Sequence, residues 1–134
     1  MTHTIRKSVY LPADKPTVWA HLTRAELLGK WFHPAKADLA EGEDFLLVSQ
    51  KDGDRMCWGR VERATPMDHM RWSFTVGPLN GVMTVVDWTL SDSSGGTLLD
   101  LVHSGLPDGA EDYGLTLALD KGWHGFLGNL HGIE

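Results

Sequence analysis

The apolar positions of this chain change period more than once. Over about residues 4–11, Ile5, Val9 and Leu11 alternate with polar neighbours, the two-residue period of a half-buried strand, and Lys7 interrupts the inner set. Pro12 ends that run. Val18, Trp19 and Leu22 then recur at helical spacing, behind Asp14 as N-cap and Pro16 in the first turn, where no amide is needed. Thr23-Arg24-Ala25-Glu26 has the form of a capping box. It predicts a second short helix carrying Leu27 and Leu28, with Gly29 as its stop. Trp31-Phe32-His33-Pro34 reads as a bulky aromatic turn.

From Ala35 to His103 the pattern is β. A strand over 45–50 and its return over 56–63 flank Asp52-Gly53, a strong hairpin signal. Met70, Trp72, Phe74 and Val76 alternate with Arg71, Ser73 and Thr75, giving one very apolar face. Residues 77–81 turn the chain. Val82, Thr84, Val86, Trp88 and Leu90 form the next inner face, and Thr97, Leu99, Leu101 and His103 the last. Gly105-Leu106-Pro107-Asp108-Gly109 then breaks the sheet. A final helix over 111–130 puts Leu115, Leu119, Trp123, Phe126, Leu127 and Leu130 on one side. Glu111 and Asp112 suit the positive end of its dipole. Gly114, Gly122, Gly125 and Gly128 each weaken that helix by about 1 kcal/mol against Ala, so packing must override them. The order is one strand, two short helices, about six antiparallel strands and a long helix. The economical solution is an α+β fold in which a curved antiparallel sheet wraps around the long C-terminal helix.

Length and composition narrow this further. The 134 residues fit one domain spanning 1–134, large enough for one core or one modest cavity. The formal charge is −6 and the basic residues are scattered, which argues against nucleic-acid binding and against a membrane-surface role. Cys57 stands alone, so an intramolecular disulfide is excluded. The first residues carry no apolar signal core, and no stretch reaches the length of a membrane span. The expectation is a soluble cytoplasmic protein.

Several pieces of the chain, taken in order, resemble the helix-grip (START-like, SRPBCC) superfamily. Within it the chain is similar to the family of homologues of the activator of the heat-shock protein 90 ATPase. The pieces are Leu11-Pro12-Ala13, Val18-Trp19, Leu22-Thr23 and Trp31-Phe32 at the start. Gly59-Arg60-Val61-Glu62, Pro66 and Met70-Arg71-Trp72 match the central hairpin, and Gly96-Thr97 with Leu99, Leu101 and His103-Ser104-Gly105 the last strand. Gly122-Trp123 with Leu127 and Leu130 match the closing helix. The resemblance implies a hydrophobic cavity between sheet and long helix, and no single activity. The family's chaperone-activating domain works beside a second domain for which this chain has no room.

On that reading Trp72, Phe74, Trp88 and Trp123, with Leu99, Leu101 and Leu119, form the walls of a ligand cavity, and Trp31 and Phe32 stand near its mouth. The alternative is that the same stripe is simply filled core. His103 faces the helix, where it offers a ligand one polar contact, or is a structural histidine bonded to the Ser104-Gly105 turn. The seven histidines show no metal-ligand spacing, either among themselves or with Cys57. No phosphate loop or nucleophile elbow is present, so no metal and no cofactor is expected. Three functions remain, in descending order. They are binding of a small hydrophobic molecule, a chaperone-accessory or stress-related protein-interaction role, and an enzyme using His103 as acid/base. Monomer and homodimer are both open.

Overall fold

The computed structural model describes residues 2–49, 51–79, 81–107 and 113–131. Strand β1 (Thr2–Leu11) leads into helices α1 (Lys15–Thr23) and α2 (Ala25–Trp31). Strands β2 (Asp44–Val48), β3 (Arg55–Thr65), β4 (His69–Val76), β5 (Thr84–Ser93) and β6 (Gly96–Pro107) follow, and α3 (Tyr113–His131) closes the chain. The six strands form one antiparallel sheet in the order β1-β6-β5-β4-β3-β2. This is the expected α+β helix-grip arrangement, with five strands rather than about six after the short helices.

The inner face is continuous across the sheet. Val61 on β3, Met70, Trp72 and Phe74 on β4, Val86, Trp88 and Leu90 on β5, and Leu99 and Leu101 on β6 are all buried. Leu11, Val18, Leu22 and Leu28 close the core from β1, α1 and α2, and Trp123, Leu127 and Leu130 from α3. Complete burial stabilises by roughly 1.5–3 kcal/mol for each large apolar side chain, so this layer is the main source of stability. Lys7, which interrupted the inner pattern of β1, reaches α3 and pairs with Asp120 at 2.8 Å. Its amphipathic stem packs inward while the ammonium meets a carboxylate at the sheet–helix boundary.

Local chemistry departs from expectation at four places. Asp14 caps α1 as expected, accepting from the Thr17 amide at 3.1 Å. The Thr23–Glu26 capping box does not form. The Thr23 hydroxyl donates back to the Trp19 carbonyl at 2.9 Å, and the first amide of α2, on Ala25, is instead satisfied by Asp38 at 2.8 Å. Gly29 does not stop α2, which continues to Trp31; Pro34, three residues on, restricts His33 and prevents further helix. Val82 is 47% exposed and precedes β5, so it is not part of the inner face. Lastly, residues 105–107 do not break the sheet. Gly105 takes φ +80°, open to glycine at little cost, and the register against β1 shifts between His3 and Ile5. Leu106 is thereby buried and paired with His3. Glu111 and Asp112, read as dipole partners of the last helix, lie outside the described residues.

Candidate functional site

Most of the space between sheet and helices is solid aromatic packing. Trp88 lies at its centre, edge-on to Trp31 at 5.9 Å, Trp72 at 5.4 Å and Trp123 at 5.6 Å between ring centroids. Phe45 extends the cluster through Trp72, and Phe32 and Phe74 extend it through Trp123. The Trp31 indole donates to the His21 carbonyl at 2.8 Å. Trp31, Trp72, Trp88, Leu99 and Leu101 are each at most 1% exposed and form the floor beneath any opening. Trp58, on the opposite face, carries the Arg55 guanidinium 4.2 Å above its ring.

His103 faces α3, as its alternation with Leu99 and Leu101 requires, but its partners are not the Ser104-Gly105 turn. The Trp123 indole donates to His103 Nδ1 at 3.0 Å. The Thr84 hydroxyl donates to the Phe74 carbonyl at 2.6 Å, which leaves its oxygen free to accept from His103 Nε2 at 2.7 Å. One nitrogen must therefore be bare and the other protonated, which defines a neutral imidazole. Burial holds its pKa down at about 4. The chain Trp123–His103–Thr84–Phe74 ties α3 to β6, β5 and β4 through groups that are all buried. Both ring nitrogens are thus already committed within the protein.

The opening lies to one side of this chain, between α3 and strands β3 and β4. It is an apolar cleft of about 320 Å³. Leu115, Ala118, Leu119, Gly122, Trp123 and Phe126 line it from α3. Met56 and Cys57 line it from β3, Phe74 and Val76 from β4, with Pro78 just beyond and Phe32 and His33 after α2. Of the cavity residues expected from sequence, Phe32, Phe74, Leu119 and Trp123 meet at this cleft; Trp31, Trp72, Trp88, Leu99, Leu101 and His103 do not line it. The cavity set expected from sequence lacked the other lining residues, Met56, Cys57 and His33 among them. Alternation already carried a signal for Cys57, since it shares a face with Val61. Burial pushes the Cys57 thiol up to about 12, so it is an apolar wall rather than a nucleophile. His33 is half-buried, and burial holds its imidazole below the ordinary value.

No cluster of three or more His, Cys, Asp or Glu side chains among the described residues is placed to hold a metal ion. No helix among them is long and apolar enough to cross a membrane.

Comparison with known proteins bears on the fold and the family. The sequence profile described as activator of Hsp90 ATPase homolog 1-like protein matches residues 12–133, and the chain belongs to that family. No protein of curated function matches it. Among solved structures it is similar to DynU16, a putative protein in the dynemicin biosynthetic locus, with 27% identity and a TM-score of 0.77. That match covers 96% of this chain but only 45% of DynU16. It is similar to CalU16 from Micromonospora echinospora at 26% identity and TM-score 0.73, over 96% of this chain and 73% of the other. The Aha1 dimer from Colwellia psychrerythraea shares the fold, with a TM-score of 0.80 at 17% identity over 96% of this chain and 93% of its own.

Proposed function

We propose that this member of the activator of Hsp90 ATPase homolog 1-like family holds a small, mostly apolar molecule in the cleft between α3 and strands β3 and β4. The observation that carries the reading is a concave site of about 320 Å³ walled by Phe32, Phe74, Leu119, Trp123 and Phe126, within the usual size of small-molecule pockets. It is about twice the cavity of roughly 150 Å³ that accepts benzene in an engineered protein core, so it has room for one or two rings. The reading moves the site away from the deep layer of Trp72 and Trp88 and toward the open flank of the helix. His103 then acts as a support, because its hydrogen bond holds the Trp123 indole in the cleft wall.

Gly122 supplies the test. A Cβ built there meets only the Phe126 ring, at 3.8 Å, so a larger side chain enters the cleft without disturbing the backbone. Titration of naphthalene, followed by amide chemical shifts, should perturb residues around Phe74 and Trp123 in the wild type. Gly122→Leu should abolish those shifts while leaving the melting temperature equal or higher, since Leu is the better helix former. Unchanged shifts in the filled variant, or none in the wild type, would sink the reading. Native mass spectrometry of the protein as purified from cells would then seek a retained molecule.

A further inference from the structure

Among the described residues lining the cleft, His33 alone carries a strongly polar side chain, since Cys57 offers only a weak thiol donor. Its position is well defined. Phe32 caps α2 with its amide donating to the Leu28 carbonyl at 2.9 Å, and Pro34 follows at once, restricting the His33 backbone to extended geometry. The Pro34 carbonyl in turn accepts from the Val48 amide at 2.9 Å, anchoring the segment to β2. The imidazole lies 4.7 Å from the Phe32 ring and 5.1 Å from the Phe126 ring, the latter edge-on. Both rings line the cleft. The ring packs against these aromatic neighbours, and no hydrogen bond to another described residue engages the imidazole.

We propose that His33 reads the polar group of the bound molecule, and that the class it selects is a neutral one- or two-ring aromatic carrying a hydroxyl. The inference rests on the cleft being the binding site. Half-buried and unpaired, a neutral imidazole has one donor and one acceptor to offer, which suits a hydroxyl able to give or take a proton. Among the described residues no Lys, Arg, Asp or Glu lines the cleft, so against these walls a charged ligand would lose its hydration without gaining a counter-ion. A carboxylate would find a counter-ion in His33 only if the ring were protonated, and burial opposes that charge. Four aromatic rings, those of Phe32, Phe74, Trp123 and Phe126, favour a flat partner over a flexible chain.

The test compares 2-naphthol, naphthalene and 2-naphthoate by calorimetric or chemical-shift titration at neutral pH. Wild type should bind 2-naphthol roughly two- to tenfold more tightly than naphthalene, the worth of one net hydrogen bond, and 2-naphthoate least of the three. In His33→Phe the naphthol preference should vanish while naphthalene binding persists, which also reports that the cleft is intact. His33→Gln, which retains a donor and an acceptor, should restore part of the preference. A preference that survives in His33→Phe, or equal binding of 2-naphthol and naphthalene by wild type, overturns the role of His33 and leaves the cleft reading standing. If wild type binds neither, both readings fall together.

Discussion

His103 is a buried imidazole serving as a structural hinge-pin. Its pKa of about 4 lies below the ordinary 6.5 because burial penalises the charged form. The direction of the linkage follows from that. Above pH 6.5 folded and unfolded chains both carry a neutral ring, and His103 adds no pH dependence. Between 6.5 and about 4 the unfolded chain takes up a proton that the folded one refuses, so stability falls as the pH is lowered. The full loss is on the order of 3 kcal/mol. Urea unfolding at pH 7 and pH 4.5 should show a steeper fall in wild type than in His103→Gln, whose amide does not titrate. At pH 7 the variant should itself be less stable by about 1–3 kcal/mol, because the Trp123 indole loses its acceptor or the Thr84 oxygen its donor. Equal slopes for the two proteins would remove the assignment. The sequence placed this ring on the correct face through simple alternation. Its partners could not be read, because Thr84 and Trp123 are brought to it from 19 and 20 residues away.

Among the elements, α3 is held by its packing against intrinsic propensity. Gly125 and Gly128 are exposed, and a Cβ at either meets no atom within 4 Å. Neither glycine is required by a close approach or by a positive φ. Gly125→Ala and Gly128→Ala should therefore each raise stability by up to about 1 kcal/mol, seen as a higher melting temperature that is additive in the double variant. A fall in either would mean that the helix surface there meets something else in solution. Elements of strong period, β4 and β6 above all, were legible from the order of apolar residues. Ends were less so, because the groups that decide them come from elsewhere. Asp38 caps α2 across a loop, Pro34 ends it, and Gly105 lets β6 run on past an apparent break. The aromatic stripe itself could not distinguish floor from wall, since both are buried with the same two-residue period.

The distribution of room in the whole molecule follows from how α3 sits on the sheet. Its second half is closed down: Leu127 and Leu130 are buried in the same core as Leu11, Leu22 and Leu28. Its first half stands off, and Leu115 and Leu119 are only partly covered because the cleft lies beneath them. The sheet and helix therefore meet as a wedge, filled by tryptophan at the narrow part and open toward β3 and β4. A dense region cannot relax around a deletion, whereas a side chain bordering open space has already given up part of its packing. The cost of truncation should accordingly be polarised along the helix. Leu130→Ala should destabilise by about 2–5 kcal/mol, as for other fully buried leucines. Leu119→Ala should cost roughly 1 kcal/mol or less, and should enlarge the cleft enough to tighten or broaden the binding of two-ring aromatics. Denaturant midpoints of the two variants provide the comparison, with naphthalene titration of Leu119→Ala as a second readout. Similar losses at both positions would mean that α3 lies flat on the sheet in solution and that the wedge is closed.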